Sequence, residues 1–232
     1  MKKLIIPVAL CCALMACGGA KTNSESADGK QVSADNIQTE AKTADPFTMV
    51  DGKLYDLKGK VKSCEIAEYE SEKDGQPLGD PFDEVLLEFD NGDGFCTKNS
   101  DKEYKTVKRN GAGQVRAFTE FISEYQCDIW DSLFYNEAGF VERKAFEGIE
   151  SMSATKFQYS GNILESKVVE WAGEGENGVN ESFYTILDED ENGNWTRRME
   201  RTDYYEWEEG NEKPSEPSSF GYTVQIRKIV YY

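Results

Sequence analysis

Residues 187–199 read LDEDENGNWTRRM. ESFYTIL leads into this stretch and WTRRMERTDYYEW leads out of it, and both are rich in aromatic and β-branched residues. Such runs favour strands, and Asn and Gly between them supply the positive φ that a tight turn needs. The stretch is read as strand, turn, strand. The pattern recurs upstream. EYKTVKR meets Asn110-Gly111-Ala112-Gly113 and then QVRAFTEF. DSLFY meets Asn136-Glu137-Ala138-Gly139 and then FVERKAF, and ATKFQY meets Ser160-Gly161-Asn162 and then ILESKVVEW. Short runs bounded by Gly, Asn and Asp are hairpin signals. The expected fold is all-β, an antiparallel meander of hairpins forming one broad curled sheet or a partial barrel.

Periodicity agrees with strands. Phe140, Glu142, Lys144 and Phe146 alternate with Val141, Arg143 and Ala145. In the last run Tyr222, Val224, Ile226, Val230 and Tyr232 point one way and Thr223, Gln225 and Arg227 the other. A period of two with polar residues on one side predicts a sheet with one wetter face. No long amphipathic helix is present; one helical turn is expected near Thr119 to Tyr125. The polar stretches 172–180 and 208–219 are expected to be connectors.

The N-terminus has a different grammar. Met1-Lys2-Lys3 is basic, Leu4 to Ala13 is apolar, and Leu14-Met15-Ala16-Cys17 places small residues before a cysteine. The apolar run is too short to span a bilayer comfortably. The order resembles the lipobox of bacterial lipoproteins. The resemblance implies a signal peptide over 1–16, cleavage before Cys17 and acylation of Cys17, giving a lipid anchor in the cell envelope. Gly18 favours the outer membrane over inner-membrane retention, and leaves open which side of it the protein faces. Residues 17–46, with no aromatics, are expected to be a flexible tether, and 47–232 a single all-β domain.

The formal charge is −18, and loss of Lys2 and Lys3 with the signal takes it to −20. Nucleic acid and anionic head groups need clustered Lys and Arg, so neither is an expected partner. Beyond the signal and Cys17 stand Cys64, Cys96 and Cys127. Three allow at most one internal disulfide, and spacing does not choose the pair. The units FYNEAGFVERK (134–144), QYSGNILESK (158–167) and DENGNWTRRM (190–199) resemble the YD repeats of bacterial wall and shell proteins. GKLYDLKGKVKSCE (52–65) looks like the first strand of Bacteroides-like lipoproteins that carry such units. The resemblance implies an antiparallel meander and no activity.

Asp188, Asp190, Asn192 and Gly193 match the first half of a calcium loop, which needs donors at positions 1, 3 and 5 and a bidentate Glu at 12. Position 12 is Met199 and the flanks read as strands, which disfavours a helix–loop–helix. A β-loop calcium site on Asp188, Asp190 and Asn192 is the alternative to a charged turn. The chain has no histidine, so triads and imidazole-bound zinc are excluded. A carboxylate pair for glycoside cleavage is left, with Glu206, Glu208 and Glu209 beside Trp207 as candidates. Trp195, Tyr204, Tyr205 and Trp207 form a late aromatic cluster that suits stacking on sugars, against the simpler reading of cross-strand pairs. Asn180, Asn194 and Ser132 lie in glycosylation-like patterns. An outer-membrane barrel is excluded because VERKAF and TRRMERTD supply no lipid-facing band. The expected function is a non-enzymatic envelope lipoprotein that recognises an envelope protein by sheet face or edge. The alternative is a carbohydrate-binding or carbohydrate-cleaving surface lipoprotein, with calcium as an optional cofactor.

Overall fold

The computed structural model describes residues 45–102, 105–149, 151–173 and 175–232. The expected signal peptide over 1–16, Cys17 and all of the expected tether but Asp45 and Pro46 lie outside the described residues. A four-residue helix α1 (Gly52–Tyr55) comes first. Twelve strands follow: β1 (Val61–Ser71), β2 (Pro77–Phe89), β3 (Cys96–Asn99), β4 (Thr106–Arg109), β5 (Val115–Ile122), β6 (Cys127–Tyr135), β7 (Val141–Glu147), β8 (Ser151–Ser160), β9 (Ile163–Gly173), β10 (Glu176–Glu189), β11 (Trp195–Glu208) and β12 (Ser219–Tyr231). They make one antiparallel sheet in the order β3-β2-β1-β12-β11-β10-β9-β8-β7-β6-β5-β4. The all-β meander read from the sequence is what the chain forms, and the sheet is curled without closing into a barrel.

Chain connectivity demands the curl. The edge strands β3 and β4 are consecutive in sequence, with only residues 100–105 between them. Six residues reach roughly 20–25 Å, whereas twelve flat strands span about 50 Å. The edges must therefore swing toward each other. What they swing around is the segment 47–57. Arg109 of β4 bonds to Asp51, Tyr55 packs edge-on to Phe89 of β2, and Lys53 donates to Ala138 O before β7. Trp195 of β11 donates to Asp56, and Arg227 of β12 donates to the carbonyls of Tyr55 and Asp56. Strands from both halves of the sheet thus meet one short segment, which marks the enclosed face. Met49 and Leu57 belong to an apolar cluster with Val61, Cys64, Leu87 and Phe89, while Leu54 packs on a second cluster of Val115, Phe118, Leu133 and Val141. The stretch 52–65, expected as a first strand, spends its first residues on α1, and the strand starts at Val61.

Four local expectations change. Thr119–Ile122 is strand, and the turn comes only after it, so no helix forms near Thr119 to Tyr125. Residues 172–180 are not an open connector: Gly173 and Glu176 pair directly, closing a tight hairpin. In β7 an extra residue, Glu142, sits opposite β6 between Arg143 and Val141, which shifts the phase and puts Val141 and Lys144 on the same lining. Finally, the polar side of β12 is the enclosed one. Arg227 is buried against the Tyr55 and Asp56 carbonyls at the end of α1, while Val224, on the opposite face, is also fully buried. Val224 pairs with Met199, which lies against Gly75 of the β1–β2 turn.

Candidate functional site

The loop 187–199 is a turn built from its own carboxylate. Asp190 N donates to Asn194 O and Gly193 N to Asp190 O, while Asp190 Oδ1 accepts the N–H groups of Asn192 and Asn194, each at 2.9 Å. Asn110 does the same, accepting from Ala112 N at 3.0 Å and Gln114 N at 3.1 Å, with Gly113 N returning to its carbonyl. Asn136 repeats the frame with Gly139 and Phe140. An amide performs at two hairpins what Asp190 performs here, so turn geometry accounts for the residue without a metal. Gly139 and Gly193 sit at φ 83° and 72°, the left-handed conformation the frame requires. The second oxygen of Asp190 accepts the Tyr231 hydroxyl, and Asp188 pairs with Arg197 at 3.5 Å. Among the described residues no group of three or more His, Cys, Asp or Glu side chains is placed to hold a metal ion.

The aromatic cluster divides between the two faces. Trp195, only 3% exposed, is on the enclosed side beneath α1, with its indole N–H 2.9 Å from Asp56 Oδ2. Tyr204 pairs with Asn180, and Tyr205 with Val179, so strand alternation sends them opposite ways. Tyr205 and Trp207 share the outer face. There Lys213, from the loop after β11, lies 4.0 Å from the Tyr205 ring and 2.7 Å from Glu181. Trp207 stands in one cross-strand row with Asn177, Ala172 and Met152, and the next row holds Val179, Glu170, Ala154 and Ala145. Together they line a groove of about 610 Å³. Its walls are large and its floor is made of alanines, with Met152 65% exposed. Glu206 and Glu208 alternate with Trp207 along β11 and so face away from it. Asn194 is buried, its amide bonded to Lys58 O and the Tyr231 hydroxyl, and Ser132 lies within strand β6.

A second cavity, of about 330 Å³, lies inside the curl. Leu133, Val141, Phe157 and Phe118 give it an apolar side, and Arg198 and Arg227 a charged one. The two guanidiniums lie 4.1 Å and 3.5 Å from the Trp195 ring. Arg198 also lies 4.3 Å from the Tyr184 ring and donates to Gln225 Oε1 at 2.6 Å. Among the described residues neither arginine forms an ion pair, and the Nε atom of each is buried without a hydrogen-bond partner. Burial pushes the Arg227 guanidinium down to about 10, and the like charge of Arg198 acts in the same direction. Neighbouring carboxylates offset these charges in part without pairing to them: Asp56, Glu200 and Glu68 favour the charged form of Arg198, and Asp56 that of Arg227. Asp56 takes the Trp195 indole, Glu200 pairs with Lys167 at 2.9 Å, and Glu68 accepts the Thr223 hydroxyl.

Sequence reasoning passed over this cavity. Alternation flagged Arg227 and Gln225 as one polar face, but nothing local says that a polar face is enclosed. Among the described residues three thiols are free: Cys64 buried on β1, Cys96 partly buried on β3 and Cys127 exposed at the start of β6. Comparison with protein-family models, curated proteins and solved structures gives no match.

Proposed function

We propose that this protein is a non-enzymatic lipoprotein of the cell envelope, anchored through Cys17, whose β-domain recognises an envelope partner with a sheet face. The observation that carries this reading is the outer groove around Trp207 and Met152. A strongly acidic surface that still exposes a contiguous apolar groove is spending solubility on contact. The sheet edges serve recognition less well. β2 pairs with β3 only at Leu87, Glu88 and Phe89, and the rest of its edge carries Pro77, Pro81, Asp80, Asp83 and Glu84. Proline and charge on an edge block strand addition. The sheet face is therefore the recognition surface.

A carbohydrate is the second reading for the same groove, because Asn177, Glu147 and Glu170 border it and suit sugar hydroxyls. One experiment separates the two. The domain is offered envelope proteins and envelope polysaccharides in separate arms, as wild type and as Trp207→Ala. Binding in one arm that Trp207→Ala abolishes, with thermal unfolding unchanged, supports the groove and names the partner class. Equal binding by both proteins removes the groove from the account. Anchoring is checked separately: Cys17→Ser should move the protein from the membrane to the soluble fraction.

A further inference from the structure

We propose that the cavity inside the curled sheet is a binding site for a small amphipathic anion, a carboxylate on a hydrocarbon body, with Arg198 and Arg227 as its counter-charges. This site is separate from the outer groove and does not depend on it. The first support is an imbalance of charge. The cavity is lined by five cations, Lys53, Lys102, Lys144, Arg198 and Arg227, against three carboxylates, Asp56, Asp101 and Asp131, in a chain of net charge −18. Three of the five cations are already paired: Lys53 with Asp45, Lys102 with Asp101, and Lys144 with Asp131 at 3.2 Å. Arg198 and Arg227 are left over with one lining carboxylate, Asp56, which forms no ion pair with either and instead accepts the Trp195 indole N–H, so two cations face one anion.

The second support is what buried charge costs. A charge taken out of water without full compensation is strongly penalised, so buried charges are paired as a rule. Here two guanidiniums flank one indole ring, and each leaves a buried Nε without an acceptor. Guanidinium also suits the planar, two-oxygen geometry of a carboxylate. Arg227 is fixed in place by the Tyr55 and Asp56 carbonyls, whereas Arg198 has a single side-chain acceptor, Gln225.

The third support is the opposite wall. Phe118, Leu133, Val141 and Phe157 offer hydrocarbon across the cavity from the arginines' strands. At about 30 Å³ for each group, the share of a water molecule in the liquid, the space holds a body of roughly ten carbons. A bare inorganic anion would leave that wall unfilled, and an alcohol of the same length would leave the arginines unpaired.

The test uses the chain from Thr43 onward, a compact unit that holds α1, all twelve strands and both apolar clusters. Decanoate, decan-1-ol and acetate are titrated while tryptophan fluorescence is read, since Trp195 touches both guanidiniums. Saturable decanoate binding is expected, with decanol and acetate weaker by about tenfold or more, the value of one charged hydrogen bond. Arg198→Met should lose decanoate affinity by a similar factor, and Trp207→Ala should keep it. Decanol binding as tightly as decanoate, no saturable decanoate binding, or full affinity in Arg198→Met would each overturn the proposal. If Arg198→Met does not unfold cooperatively, Arg198→Lys replaces it; that variant should bind decanoate more weakly than wild type, and undiminished binding counts against the site.

Discussion

Arg109 and Asp51 meet through two parallel hydrogen bonds, Nη1 to Oδ1 and Nη2 to Oδ2, both 2.7 Å, with Asp51 only 1% exposed. Asp51 Oδ2 also accepts Cys96 N of β3 at 2.7 Å. One carboxylate therefore holds both edge strands, which lie at opposite ends of the sheet order, to the segment before β1. Removing one partner of a buried pair strands the other charge, at a cost of about 3–5 kcal/mol. Asp51→Ala should lower the melting temperature by about 10 °C for a domain of this size. Thermal unfolding by circular dichroism checks it, and a change under about 2 °C would deny the clamp.

Asp190→Ala should destabilise the protein by about 1–2 kcal/mol, because two backbone N–H groups and the Tyr231 hydroxyl lose their acceptor. Asp190→Asn should recover most of this, since Asn110 and Asn136 build the same frame. Calcium at millimolar concentration should shift neither variant nor wild type. A rise of several degrees in the wild type, abolished by Asp190→Asn, would instead make the loop a cation site.

The three thiols should separate kinetically. Cys127 is exposed, while burial pushes the Cys64 and Cys96 thiols above their ordinary value. Thiolate is the reactive form. A thiol reagent at pH 8 should modify Cys127 quickly, Cys96 slowly and Cys64 only on unfolding, as read by peptide mass analysis. Early modification of Cys64 would show that the enclosed face opens.

Acid should weaken the enclosed face through Glu200. Burial opposes its charge, but Lys167 and a hydrogen bond from Ser182 outweigh that and hold the carboxyl below its ordinary value of 4.5. A depressed value means stability that is present above 4.5 and lost as pH falls through the folded value. Glu68 runs the other way. Burial first, and then the charge of Glu200, raise it, so its ionisation costs stability as pH rises through its folded value. Unfolding between neutral pH and pH 3 should show a shallower acid loss in Glu200→Gln than in wild type. A steeper loss would reverse the assignment.

The strands and turns were legible because their signals are local. The Asn136–Gly139 and Asp190–Gly193 frames announce themselves within five residues, and alternation marks the runs between them. The sheet order was not. That β1 lies beside β12 depends on Cys64 meeting Ile229, a pairing no window of sequence contains. Phase was misread in the run Phe140–Phe146, where the extra residue Glu142 bulges. The face of β12 carrying Arg227 read as wet because alternation separates two faces without saying which is enclosed. α1 has four residues, too few for a helical period to show. The aromatic cluster failed as a unit for a simple reason: Tyr204 and Tyr205 are adjacent, and adjacent strand residues face opposite ways.

The sheet keeps its curl because it wraps residues 47–57, and that is tested most directly by removing them. The chain from Thr43 and the chain from Val61 differ only by the segment that touches β2, β4, β11 and β12. Heating both while following near-ultraviolet circular dichroism gives the answer. The longer chain should unfold in one cooperative transition, and the shorter should show none, since Arg109, Trp195 and Arg227 lose their partners together. An equal transition in the chain from Val61 would contradict the account and make the segment a passenger on a sheet that holds itself.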